Sequence, residues 1–110
     1  MRAPERDRKQ AAAPTDEEAL CEAFAALESA EEAERFLRDI ATPAEIAAFA
    51  ERWKLARLLD EGALSYREIA AETGAPTTTV RRVARFLREE NHQGYRLILD
   101  RLNNNIRRPS

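Results

Sequence analysis

Two tetrapeptides constrain this chain more than anything else in it. In Thr42-Pro43-Ala44-Glu45 and in Ser65-Tyr66-Arg67-Glu68 a hydroxyl residue stands three positions before a glutamate. At that spacing the hydroxyl accepts from the glutamate's backbone N–H, and the carboxylate accepts from the hydroxyl residue's own N–H, so both mark helix starts. Pro43 strengthens the first, because the first helical position has no use for the N–H that proline lacks. Ser29 with Glu32 repeats the spacing, and Thr15 or Asp16 can cap a helix further upstream. Gly62 and Gly74 stand where helices close in the left-handed conformation. Pro76 then holds Ala75 extended before another helix begins at Thr77 or Thr78. The starts fall at unequal intervals and make no repeat.

Between these marks the apolar residues recur at helical spacing. Leu20, Phe24 and Leu27 form one stripe, and Ala33, Phe36, Leu37 and Ile40 a second. Ile46, Phe49, Ala50, Trp53 and Ala56 form a third, which Leu55, Leu58 and Leu59 widen until the helix reads as covered on several sides. Ile69 and Ala70 mark a short helix; Val80, Val83, Ala84 and Leu87 mark the next, running to about Glu89. After a turn at 91–94, Tyr95, Ile98, Leu99 and Leu102 define a last helix. Charged residues make up 35% of the chain and only three glycines interrupt it, a helix-forming composition. The expected fold is all-α, with about six helices. The expected organisation is a disordered arm at 1–14, a helical domain at 15–103 with a helix-turn-helix at about 65–88, and a flexible tail at 104–110. Phe24, Phe36, Phe49 and Trp53 are expected in the core, and the sole cysteine, Cys21, is expected to be a buried, inert thiol. A 110-residue chain supports one domain with a limited core, and its stripes exceed what one small monomer buries, which favours a partner subunit.

The formal net charge of -2 conceals an uneven distribution. Residues 11–34 hold eight acids and no Lys or Arg, whereas 77–88 hold Arg81, Arg82, Arg85 and Arg88 and no acid. In the arm, Arg2, Arg6, Arg8 and Lys9 are offset by Glu5 and Asp7 and read as a solvated tail.

The basic segment coincides with the pair of short helices around Gly74. A helix-turn-helix needs a residue tolerating positive φ in the turn, a small residue where the helices cross, and apolar residues that pin the second helix to the first. Gly74, Ala70 and the 80/83/84/87 set meet those needs. The opposite face carries Thr78, Arg81, Arg82, Arg85 and Arg88. Arginine forks onto guanine edges and onto phosphates, and threonine offers a hydroxyl and a methyl to bases. Because the N-terminal part of the second helix meets the bases, Thr77, Thr78, Thr79 and Arg81 are the expected readers. Arg85 and Arg88 lie later and follow along the backbone, Arg82 shares their face, and Arg67 is placed to meet the backbone or a base at the groove edge. Tyr66 is a further candidate for phosphate contact.

These residues resemble the Trp-repressor superfamily. The framework is Thr42-Pro43, Arg52, Gly62, Ser65, Arg67-Glu68, Gly74-Ala75, Thr79 and Arg82. With 30–36 upstream and Gly94-Tyr95-Arg96-Leu97 downstream, it is most similar to the YerC/YecD-like branch. The resemblance implies an intertwined homodimer that presents two reading heads to a palindromic operator. It also implies that Thr42, Arg52 and Arg82 occupy positions that hold tryptophan in the classical repressor. Val83 and Phe86 depart from that pattern, standing where the classical protein has a glycine and a serine. Being larger and apolar, they are expected to fill the pocket. No tryptophan or other cofactor is therefore expected, and Arg52 and Arg82 are left for phosphate contact or intersubunit pairs; a different small-molecule effector has no positive sign in the sequence.

The expected function is transcriptional regulation, as a repressor, through sequence-specific binding to double-stranded DNA. The alternatives are a helical dimeric protein-interaction module using the acidic front, or a non-specific DNA-binding accessory protein. RNA is disfavoured by the want of aromatic stacking platforms. No enzyme is expected: His92 is the lone histidine, set in the 91–94 turn, and neither a Cys/His cluster for metal nor a glycine-rich phosphate loop occurs. No apolar run is long enough for a membrane span, and the opening MRAPERDRKQ lacks a secretory apolar core, so the expected location is cytoplasmic, with the nucleoid when bound.

Overall fold

The computed structural model describes residues 13–107, which form six helices and no strand. Most of the expected arm, 1–12 with its four basic side chains, lies outside the described residues. The chain divides after Ala41 into two compact units, where the sequence suggested one helical domain.

The first unit holds α1 (Asp16–Ala25) and α2 (Ala30–Ile40). Thr15 caps α1 with a complete box: its hydroxyl accepts from Glu18 N at 3.1 Å, and Glu18 accepts from Thr15 N at 2.9 Å. Ser29 caps α2 by accepting from Glu32 N, but the Glu32 carboxylate reaches one residue further and accepts from Glu28 N. Phe24 meets Phe36 edge-on, with ring centroids 5.4 Å apart. Neither helix holds a buried residue. Cys21 and Phe24 are therefore exposed, against the expectation that both are interior. Two short helices enclose too little volume to bury either.

The second unit holds α3 (Pro43–Glu61), α4 (Tyr66–Thr73), α5 (Thr77–Arg88) and α6 (Gly94–Arg107). The capping boxes at Thr42 and Ser65 are both complete. α3 and α4 stop at Gly62 and Gly74, which adopt φ of 73° and 80°. The last helix continues through 104–107, a stretch expected to be tail.

The core lies among these four helices. Leu55, Ala56, Ile69 and Val80 are fully buried, joined by Leu59, Val83 and Leu87. Each Leu, Ile and Val side chain among them contributes roughly 1.5–3 kcal/mol by leaving water. Leu99 is the residue of α6 in this core, and Trp53 packs at its edge, stacked on Tyr95 at 6.4 Å between centroids. Phe49 stays exposed, a second correction to the expected aromatic core. Outside the core, Arg96 ties α6 to α3 through Asp60 at 2.9 Å and also engages Asp100 at 2.9 Å. Its hydrogen bonds to Asp60, then to Asp100, raise the guanidinium pKa above its ordinary value.

Gly74 separates local strain from packing. A Cβ there would meet open space, so the cost of Gly74→Ala is the left-handed backbone alone, about 1–2 kcal/mol. Gly94 has equal space and no positive φ, so Gly94→Ala is expected to stay within about 0.5 kcal/mol of the parent. Urea unfolding of the two variants checks this, and equal losses would contradict it.

Candidate nucleic-acid interface

The turn between α4 and α5 is more ordered than a glycine alone requires. Thr73 donates from Oγ1 to the Ile69 carbonyl at 2.8 Å and accepts from Ala75 N at 3.2 Å, so one side chain bridges the end of α4 to the turn. Ala75 is buried beneath it. The sequence reading passed over Thr73; the signal was a hydroxyl residue directly before the helix-ending glycine. Pro76 supplies the N-terminal carbonyl of α5, accepting from Thr79 N and Val80 N. No side chain caps this helix.

Helical periodicity then divides α5 into two faces. Val80, Val83, Ala84 and Leu87 are buried against α3 and α4. Thr77, Thr78, Arg81, Arg82, Arg85 and Arg88 are exposed, as is Arg67 on α4. Thr79, one of the expected readers in the N-terminal turn, is half-buried. A depression of about 420 Å³ runs along this side, between Tyr66 of α4 and Thr78, Arg81 and Arg85 of α5.

The arginines differ in what holds them. Arg85 pairs with Glu90 at 3.2 Å. Phe86 lies beside two guanidinium groups, with Arg82 4.5 Å and Arg85 5.2 Å from its ring centroid. Such contacts restrain a long side chain without neutralising it. Arg88 donates to the Tyr66 hydroxyl at 2.9 Å and to the Leu59 carbonyl at 3.1 Å. Arg88 and Tyr66, two of the expected contacts to nucleic acid, are thus bonded to each other.

On the far side of α5 a groove of about 460 Å³ opens between α3, α5 and α6. Arg52, Trp53, Arg82, Val83 and Phe86 line it. Four of the five residues at the resembled corepressor positions, Arg52, Arg82, Val83 and Phe86, thus meet at this groove. Val83 is drawn into the core, and the Phe86 ring is held beside the guanidiniums of Arg82 and Arg85. Arg52 is exposed, with its guanidinium 5.8 Å from the Phe49 ring centroid. The Thr42 hydroxyl is engaged in the cap of α3. Among the described residues no group of His, Cys, Asp and Glu could hold a metal ion, and no helix is long and apolar enough to cross a membrane.

Two short helices about a left-handed glycine, the second pinned by its aliphatic face and bare on its basic one, define the helix-turn-helix class. Residues 16–103 match the family described as Trp repressor protein, and the chain belongs to that family. It is 41% identical over 83 residues to the uncharacterized protein YerC of Bacillus subtilis (strain 168), covering 76% of this chain and 78% of that protein. Its structure is similar to that of a TrpR-like protein from Eubacterium eligens ATCC 27750, with a TM-score of 0.70 and 37% identity over 78% of this chain and 87% of the other.

The two faces of the helix pair differ in what a truncation removes. Ile69→Ala is expected to cost about 2–5 kcal/mol by opening a cavity in the core. Arg81→Ala is expected to shift stability by less than about 0.5 kcal/mol, because the side chain is exposed. Urea midpoints of the two variants test this, and comparable losses would mean that the reading face is part of the framework.

Proposed function

We propose that this protein is a transcriptional regulator, acting as a repressor, that binds double-stranded DNA sequence-specifically as a homodimer on a palindromic operator. One observation carries the reading: α5 exposes Thr77, Thr78, Arg81, Arg82 and Arg85 on the face opposite its buried aliphatic residues, with no acid within the helix. Thr77, Thr78 and Arg81, at the N-terminal end, meet base edges; Arg82, Arg85 and Arg67 of α4 meet the backbone. Thr79, half-buried, contributes from the edge of that face. Family membership supports a DNA-binding regulator rather than an enzyme.

The dimer is supported by apolar side chains that the chain leaves uncovered. Leu97, Ile98 and Leu102 are exposed along α6, and Phe49 is exposed on α3. Exposed apolar surface of this kind marks an association face. Tryptophan is not the corepressor in this reading, because Phe86 brings no polar atom to the groove beside Arg52 and Arg82. The protein works in the cytoplasm, at the nucleoid when bound.

Selection of duplexes from a random library, followed by a salt titration of the selected sequence, tests the reading. The expected product is a palindrome with half-sites about one helical turn apart. Arg81→Ala with Arg85→Ala is expected to weaken binding and to flatten the salt slope by about one per lost phosphate contact. Salt-sensitive binding without sequence preference would reduce the protein to a non-specific DNA binder. Sedimentation at micromolar concentration is expected to give the mass of two chains, and a single-chain mass would remove the dimer.

A further inference from the structure

Arg88 shares a face of α5 with Thr78, Arg81 and Arg85, so helical spacing alone sends it towards the nucleic acid. The structure sends its guanidinium elsewhere. Nη2 donates to the Leu59 carbonyl, in the last turn of α3, and Nη1 to the hydroxyl of Tyr66, the first residue of α4. One side chain thus joins the end of α3, the start of α4 and the end of α5.

The chemistry of each partner suits the join. Carbonyls in the last turn of a helix run out of intrahelical donors and carry the negative end of the helix dipole. α3 has no basic residue in its own last turn, so Arg88 supplies the missing cation from another helix. A planar fork satisfies two acceptors at once, which a single ammonium on a flexible stem does less well. The aliphatic core beneath α5 is non-directional and on its own permits the helix to tilt. At its start α5 is held by the ordered turn through Thr73 and Ala75; at its end Arg88 holds it.

We propose that Arg88 is a positioning residue of the DNA reader. It braces α5 against the end of α3 and the start of α4, and so sets the angle at which Thr78, Arg81 and Arg85 are presented, without itself neutralising a phosphate. Tyr66 is then the acceptor of the brace rather than a contact to the backbone. The proposal rests on the DNA-binding reading above.

The test measures affinity and salt slope for a library-selected duplex with Arg88→Ala, Arg88→Lys, Tyr66→Phe and the Arg88→Ala/Tyr66→Phe double variant. All are measured at a temperature where circular dichroism shows full helix. Arg88→Ala is expected to weaken binding about tenfold, the scale of a lost charge-assisted hydrogen bond, with the salt slope unchanged. Lysine is expected not to restore affinity. Tyr66→Phe is expected to act in the same direction, and the double variant to bind no worse than Arg88→Ala, because both changes break one brace. A slope flattened by about 0.9 together with rescue by lysine would make Arg88 a phosphate contact and overturn the proposal, as would unchanged affinity. If the parent chain bound no duplex, the DNA reading would fall and the unfolding free energies of the same variants would judge the brace. Coupling between Arg88 and Tyr66 would keep it, and additive losses would remove it.

Discussion

The burial of one face of α5 is the constraint on which the rest of the second unit depends. Val80, Val83, Ala84 and Leu87 pack with Leu55 and Leu59 of α3 and Ile69 of α4 in a single aliphatic core. At 3.6 residues per turn, burying those four positions turns Thr78, Arg81 and Arg85 to solvent. The basic face needs no attraction of its own to be displayed. It follows from the greater gain in hiding the opposite one, at roughly 1.5–3 kcal/mol for each large aliphatic side chain.

Burial determines which face is hidden; directional polar contacts determine the angles. Complete capping boxes at Thr42 and Ser65 locate the starts of α3 and α4, each typically worth about 1 kcal/mol. Thr73 ties the turn, Arg88 ties the end of α5, and the Arg96–Asp60 pair ties α6 to α3. That ion pair is partly exposed, so its effect on stability is small and its effect on geometry the greater. A fold of this size gains its specificity from a few such contacts laid over a core that by itself tolerates sliding.

The expectations that failed share a cause. Periodicity identified the apolar faces, and Phe24, Phe49 and Cys21 were assigned to the interior on that basis; all three are exposed. Periodicity reports that a residue belongs to an apolar stripe and says nothing of what lies against the stripe. The same gap applies to the groove beside Arg52 and Arg82. Residue volumes at Val83 and Phe86 were legible, but the direction each side chain takes was not. Thr79 was placed among the readers by its position in the N-terminal turn of α5; that it is half-buried follows from the 100° a helix turns between successive threonines.

The helix starts, the left-handed stops at Gly62 and Gly74, and the division of α5 into an aliphatic and a basic face were set by the sequence itself. Their causes act within about one helical turn: a hydroxyl three residues from a carboxylate, a missing Cβ, a 3.6-residue period. The destination of Arg88 was decided only by the tertiary structure. Arg88 carries the same spacing as its neighbours on α5, yet its acceptors, Tyr66 and Leu59, stand 22 and 29 residues away along the chain. No local rule reaches that far. A long, flexible cation goes to whichever unsatisfied oxygen the packing of other helices brings within its reach.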